Sequence, residues 1–399
     1  TKTQIDGAIK ANGTVIIENS EGVTFGKTAQ VNAGAVVATT LDIANKDFMD
    51  GKNTYAAANG AASTGKVINK GTIQTNDPNG YIALLAPEVR NYGYVIASGG
   101  SGSAVALASG SRITLNFSSN QLVGVSVDAS VYKSLIANKR AVEVPGGLVV
   151  IAANSVNQLM GSVIKNSGRI STTSMVNNGG NIEIVAGNVT NSGALLANSK
   201  NGNGGNITLR GDTITLTSTS KIKANAKTQG NGGNVSIISN QQTTVAGTLQ
   251  ATGGALSGNG GTIETSSHQN LTITSSTKVD TSAPAGKTGT WLLDPYNLTI
   301  DSASASVISA ALQNNNVTVQ VQGNTCSGGT CTQGAGDLII APGVTIAKMG
   351  ITPTTLTFLA DGTFYNYGQI TSAPSSILNV VINANDINLA QGSSIQANQ

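Results

Sequence analysis

Apolar and polar residues alternate along this chain in short bursts, and each burst follows a pair of glycines. Gly179-Gly180-Asn181-Ile182-Glu183-Ile184 returns as Gly204-Gly205-Asn206-Ile207-Thr208-Leu209. It returns again as Gly232-Gly233-Asn234-Val235-Ser236-Ile237 and as Gly260-Gly261-Thr262-Ile263-Glu264-Thr265. The intervals are 25, 28 and 28 residues. Alternation with period two marks a β-strand with one buried face. Recurrence at this interval marks stacked supersecondary units in place of one compact core. A second phrase, Asn-x-Gly before a short strand, begins at Asn69, Asn91, Asn166, Asn191 and Asn366. Asn and Gly tolerate the backbone of a tight corner. Corners that stack place asparagine over asparagine, so their side chains can hydrogen-bond from coil to coil. The pattern predicts an all-β solenoid, with Val, Ile and Leu inside and Thr, Ser, Asn and Lys outside.

Two spans depart from period two. In 128–138 the apolar residues 131, 132, 135 and 136 have helical spacing behind a possible N-cap, Asp128, and 155–164 has a similar pattern. Both are expected to be short helical excursions. A boundary falls at Gly289-Thr290-Trp291-Leu292-Leu293-Asp294-Pro295-Tyr296-Asn297, which holds the single tryptophan and ends the glycine-pair phrase. Three sections result: 1–175, 176–290 and 291–399. The chain starts and stops inside strand phrases, so a piece of a longer protein is expected.

Charged residues make up 10% of the chain, well below the roughly 25% of an ordinary globular domain, and small polar residues take their place. Regular Val, Ile and Leu argue against disorder. The net charge of +3 is spread without runs, and no basic patch with interleaved aromatics points to nucleic acid. Apolar runs such as Leu148–Ala153 are too short for a membrane-spanning helix, and residues 1–6 are not a signal peptide. Cys326 and Cys331, separated by turn-forming residues, read as a disulfide in an oxidising compartment, within a loop at 326–331. Two thiols with no histidine nearby make a poor zinc site. The lone His268 argues against a histidine-based metal site or triad and reads as a solvent-facing turn residue.

Several short motifs resemble catalytic or ligand loops. Gly60–Val67 and Thr281–Thr288 approximate a phosphate loop, but each precedes a strand pattern where a phosphate loop must open a helix. Ser130, Lys133, Ser155, Asn157 and Lys287-Thr288-Gly289 mimic a penicillin-binding set by composition alone. The glycine turns offer Asn206 and Asn234 where calcium-binding repeats need carboxylates. A β-helical carbohydrate enzyme needs convergent acids, whereas Asp280, Asp294 and Asp301 are scattered. No cofactor is implied.

The residues from Gln4 to Gly26 and from Ala29 to Ile43 resemble the filamentous-haemagglutinin-type secretion domain. Ile113–Phe117, Leu135–Lys139, Gly146–Ala153 and the phrase Trp291–Ile300 continue the likeness. In style the chain is similar to the high-molecular-weight adhesins of Gram-negative bacteria. The resemblance implies a two-partner secretion exoprotein, folded as a right-handed parallel β-helix, with 1–175 as its secretion domain, in which the family's amphipathic N-terminal cap strands are missing before Thr1. It implies export through a dedicated outer-membrane β-barrel transporter that recognises the N-terminal domain, and residence outside the cell or on its surface. A host or bacterial surface glycan or protein is the implied receptor. A β-helical polysaccharide-degrading enzyme and the stalk of a contact-dependent toxin are the alternatives. The family phrase Asn-Pro-Asn-Gly-Ile reads Asn19-Ser20-Glu21-Gly22-Val23 here, which keeps Asn19 and Gly22 and puts Val23 last. The likeness also makes candidate glycosylation sites of the Asn-x-Ser/Thr residues Asn116, Asn188, Asn206, Asn234, Asn270, Asn297 and Asn316, with Asn12 a further match to the pattern.

Overall fold

The computed structural model describes all residues except 58–63, 131–132, 157–161, 324–325, 328–329, 332–334 and 399, and for 326, 327, 330 and 331 it describes the backbone alone. The chain divides into two compact units, 1–199 with 205–212 and 200–204 with 213–399. Each is a parallel β-helix.

In the first unit each coil supplies a strand to each of three parallel sheets. One sheet starts Thr3–Ile5, Val23–Phe25, Lys66–Asn69 and Glu88–Asn91, and continues through Ser134–Asn138, Ser162–Asn166 and Asn188–Asn191. A second sheet begins with Thr14–Glu18, Ala35–Thr39, Tyr81–Leu85 and Ala104–Ser109. A third begins with Ala8–Lys10, Gln30–Asn32, Thr72–Thr75 and Tyr94–Ala97. Register puts like on like. The inward file of the second sheet reads Val15, Val36, Ile82, Val105, Val149, Ile182, Ile207. From Val36 onward its members are 0–1% exposed. Burying one such side chain contributes about 1.5–3 kcal/mol.

The outward file beside it reads Val37, Ala83, Ala106, Val150 and then Glu183, Thr208. The apolar part is covered by an antiparallel sheet of Thr54–Ala56, Arg112–Ser118 and Gln121–Asp128, which buries Tyr55, Ile113, Leu115 and Leu122 against it. Strands buried on both faces lose their alternation. That is why Ala35–Thr39 and Ala104–Ser109 read as continuous apolar runs.

Among the described residues of 128–138 there is no helix; 131–132 lie outside them. Asp128 ends a strand, and Ser134–Asn138 is a strand whose Ile136 stacks between Val89 and Ile164 in the core. The demand of the inward file overrides the local helical spacing. In 155–164 the described residues are likewise extended, with Ser155 bridged to Ser130 and Ser162–Asn166 a strand; 157–161 lie outside the described residues. A short helix, α1 (Asn45–Met49), does occur in the first unit.

The asparagine corners form a buried ladder. Nδ2 of Asn69 donates to Oδ1 of Asn91 (2.9 Å), Asn91 to Asn138 (2.8 Å), Asn138 to Asn166 (2.8 Å) and Asn166 to Asn191 (2.7 Å). All five are at most 2% exposed. Glycines permit the coils to close in at the neighbouring corner: a Cβ on Gly180 would lie 2.0 Å from the carbonyl oxygen of Gly147, and one on Gly205 2.0 Å from that of Gly180.

The second unit repeats the scheme through Asn234–Val245, Thr262–Ser267, Thr290–Pro295, Asn316–Val321, Thr354–Asn366 and Leu378–Leu389. Trp291 takes a place in the inward file between Ile263 and Val317. It is fully buried, and its Nε1 donates to Oγ1 of Thr265 at 3.0 Å, so a threonine stands between Ile237 and Leu293 in the adjacent inward file. The third sheet runs through Lys221–Lys223, Thr248–Gln250 and Lys278–Asp280. The chain then forms helix α2 (Ser302–Leu312), and strands resume on that side at Thr345–Lys348. Asp301 caps α2, accepting from the backbone N of Ser304 at 2.8 Å while Ser304 Oγ accepts from the backbone N of Asp301 at 2.9 Å. At its other end the fully buried Lys348 donates from Nζ to the carbonyls of Leu312 (2.8 Å) and Gln313 (3.0 Å).

Asp294 lies half-buried on the strand that carries Trp291, and burial, with the charges of Glu264 and Asp361 adding to it, pushes its pKa up to about 6. The folded state therefore holds this proton more tightly than the unfolded chain does. Stability of the second unit should rise as pH falls from 6 towards 4, by at most about 3 kcal/mol. Asp294→Asn should flatten that slope in urea titrations at several pH values; an unchanged slope would refute the assignment. In the first unit, Asn138→Leu strands one Asn91 donor and deprives the Asn166 oxygen of the Asn138 amide. Urea unfolding should show a loss of about 3 kcal/mol, against less than about 1 kcal/mol for Asn206→Leu on the exposed surface.

Candidate functional site

The secretion phrase folds as one tight turn on the first coil. The backbone N of Gly22 donates to the carbonyl of Asn19 at 2.9 Å. Asn19 Oδ1 accepts from the backbone N of Glu21 at 2.9 Å, and its Nδ2 donates to the carbonyl of Thr1 (2.9 Å) and to Thr3 Oγ1 (2.8 Å). Asparagine suits this place because one short side chain closes its own turn and ties down the preceding strand. Gly22 has φ of +131°, a conformation that L side chains rarely adopt. Its carbonyl accepts from the backbone N of Thr3 at 2.9 Å. Val23 is fully buried and lies in register between Thr3 and Val67. Asn19, Gly22 and Val23 are thus brought together as architecture, while Ser20 and Glu21 face solvent at the tip.

The candidate glycosylation asparagines differ in availability. Asn316 bridges coils, donating to the carbonyl of Thr288 (3.3 Å) and accepting from the backbone N of Thr355 (2.9 Å). Asn206 donates to Asn181 at 2.8 Å, Asn234 accepts from Thr262 at 2.6 Å, Asn116 donates to Ser126 at 2.9 Å, and Asn297 accepts from the backbone N of Asp337 at 3.2 Å. Asn188 is partly buried and its polar groups are also engaged. Asn270 is exposed, at the start of strand Asn270–Ile273, and its amide is committed to none of these contacts.

Cys326 and Cys331 face each other across a two-stranded antiparallel ladder, Cys326–Ser327 with Thr330–Cys331. The expected disulfide concerns side chains that lie outside the described residues. Asp280, Asp294 and Asp301 do not converge. Asp280 accepts from the backbone N of Ser282 at 3.0 Å, Asp294 accepts from Gln322 Nε2 at 3.3 Å, and Asp301 caps α2. His268 is exposed, with its ring stacked over Tyr296 at 5.9 Å. Of the phosphate-loop phrases, 60–63 lie outside the described residues, and Thr281–Thr288 leads into the strand Thr290–Pro295, so no helix presents its N–H groups there. Among the described residues no group of three or more His, Cys, Asp or Glu side chains could hold a metal ion, and no helix is long and apolar enough to cross a membrane.

Three features escape the sequence patterns used above. Asn138 belongs to the buried ladder although Lys139 and Arg140 follow it in place of the corner glycine. Asn203, Asn231 and Asn259, each just before a glycine pair, form an exposed ladder in the second unit: the side-chain oxygen of each accepts from the backbone N of residue 231, 259 or 287 on the next coil at 2.7–2.9 Å. Their 28-residue spacing was a readable signal. The capping pair Asp301 and Ser304 was a readable signal for α2 as well.

Comparison with known proteins matches the TPS secretion domain family over residues 1–197. A heme/hemopexin-binding protein of Haemophilus influenzae is 26% identical over 192 residues, which is 47% of this chain and 20% of that protein's length. The chain therefore spans about a fifth of that relative. The crystal structure of the HMW1 secretion domain from Haemophilus influenzae superposes with a TM-score of 0.54 at 22% identity, covering 74% of this chain and 83% of the other. At that identity the likeness speaks for the fold. With the family matched over residues 1–197, the chain belongs to the TPS secretion domain family of two-partner secretion exoproteins, whose members are secreted by Gram-negative outer-membrane transporters to the cell surface or the extracellular space.

Proposed function

We propose that the turn at Asn19–Val23 helps present the first coil to the outer-membrane transporter, and that the exported coils act as a surface adhesin for host or neighbouring cells. The observation that carries this reading is the secretion-domain match over residues 1–197, together with a first coil whose turn is built by the phrase residues themselves. Coils that contact only their neighbours suit export as an extended chain that folds progressively outside. The relatives are named for secretion and for heme or hemopexin binding; receptor binding by this chain is our inference from the secretion-domain match. The pair Cys326 and Cys331 is proposed to close its loop as a disulfide once the chain reaches an oxidising compartment.

Co-expression with and without a cognate transporter tests the export half. Extracellular protein should depend on the transporter and should fall several-fold for Asn19→Ala. Proline at Ile182 or Ile207, which removes a ladder donor from a core strand, should slow release. Secretion indifferent to all three changes would end the export reading. Normal secretion with no binding to any host or bacterial cell would end the adhesion reading alone.

For modification, glycopeptide mass spectrometry after exposure of the folded protein to an asparagine glycosyltransferase should find Asn270 occupied and Asn316 bare. Equal occupancy of the two would show that inter-coil hydrogen bonding does not protect.

A further inference from the structure

One corner of the first unit carries a cavity of about 590 Å³, between the turns of the early coils and the tip of the antiparallel hairpin. Its aromatic side is Tyr81 and Phe117, packed edge to face with ring centroids 5.1 Å apart. Its polar side holds Asn12, Asp77, Asn79 and Asn120. The frame is built. The backbone N of Gly80 donates to the carbonyl of Asp77 at 2.9 Å, closing the turn that carries Asp77 and Asn79. Nδ2 of Asn79 donates to Oδ1 of Asn120 at 3.1 Å, tying that turn to the hairpin tip. Space is kept open at Gly34, where a Cβ would sit 2.7 Å from Asp77 Oδ2 and 2.5 Å from the carbonyl oxygen of Asn12. A second cavity, also about 590 Å³, shares Asn12, Gly34 and Asp77 with the first, so the two form one groove. The side chains of Asn12 and Asp77 are exposed, and neither makes a hydrogen bond within the described residues.

We infer that this groove binds a neutral oligosaccharide. An amide offers a donor and an acceptor side by side, and a carboxylate offers two acceptors, which together match adjacent sugar hydroxyls that each donate and accept. Aromatic rings supply an apolar surface for the C–H face of a sugar ring. The volume falls in the range of small-ligand sites and suits roughly two or three sugar rings. The charged side chains lining the groove are Asp77 and, in its second cavity, Lys10, one of each sign, so the groove offers no net charge to attract a phosphorylated or carboxylated ligand. The inference deepens the adhesion reading and rests on it only for its biological setting.

The test uses the full chain with maltotriose, chitotriose and N-acetyllactosamine, with sialyllactose as the acidic counterpart, by saturation-transfer NMR and titration calorimetry. At least one neutral sugar should bind saturably and more tightly than sialyllactose. Binding should be lost in Asp77→Ala and weakened in Asn12→Ala, with urea midpoints unchanged in both. Failure of all three neutral sugars, or binding indifferent to both substitutions, would overturn the inference. So would loss of secretion in Asp77→Ala without sugar binding in the parent, which would make the groove a transporter contact. Sugar binding that needs Asp77, beside cell adhesion that does not, would support the groove and detach it from adhesion.

Discussion

Parallel stacking in register is the constraint from which the rest of this molecule follows. Successive strands lie about 4.8 Å apart, so a residue's nearest neighbour is its counterpart one coil away. Whatever occupies a position must tolerate a copy, or a close substitute, directly above and below. Aliphatic residues pass that test inside, which is why valine, isoleucine and leucine dominate the inward files. Glycine passes where backbone meets backbone, as at Gly180 over Gly147. Charged residues pass poorly, and the scarcity of charge in this chain follows from the same geometry. Buried corners need a side chain that donates and accepts at once. Asparagine does both within a short reach, so Asn69, Asn91, Asn138, Asn166 and Asn191 satisfy one another where an acid or a leucine would leave a group unpaired.

Function is added to such a scaffold by chain that leaves the coil. The antiparallel sheet over Val37, Ala83 and Ala106 is an insertion that the coil accommodates by making its outward file small and apolar. Where the cover ends, the same file turns to Glu183 and Thr208. The hairpin tip then walls one side of a polar groove while the corner turns wall the other. Loops set on a rigid frame are the usual home of binding residues. Here the frame repeats, and the groove takes its wall from a hairpin tip that belongs to the first unit.

The period, the inward files and most asparagine corners were legible in the sequence because stacking repeats them. What was not legible breaks the repeat or lies across it. Asn138 lacks the following glycine, yet register alone recruits it. Leu135 and Ile136 imitate a helical face, but Ile136 is a core residue of a strand and its neighbour simply points the other way. The antiparallel sheet was missed because alternation carries no information about strand direction. Helix α2 was missed because its Ser and Ala residues give no strong apolar stripe, although Asp301 and Ser304 announced its start. The turn at Asn19–Val23 could be read as a turn; what it meets outside the chain depends on surface shape, which no short phrase encodes.

The hydrogen-bond directions give the coil a polarity along the chain. Nδ2 of Asn69 donates to Asn91 Oδ1 and to the carbonyl of Tyr94, and Nδ2 of Asn91 donates to Asn138 Oδ1 and to the carbonyl of Ala141. In both cases the donors are spent on the following coil. The oxygen of each asparagine already serves its own corner, accepting from the backbone N of Gly71 or Gly93. At these two corners the coil therefore presents donors that its successor takes up. Asn366 shows the converse. Its oxygen accepts from Gly368, but Leu389 is its partner in the next strand, and its Nδ2 is buried without a hydrogen bond among the described residues. The C-terminal end of α2 follows the same order, since the Leu312 carbonyl is closed by Lys348 and Thr354 from later in the chain. For a chain that reaches the exterior from its N-terminus, each coil would then be completed by the arrival of the next.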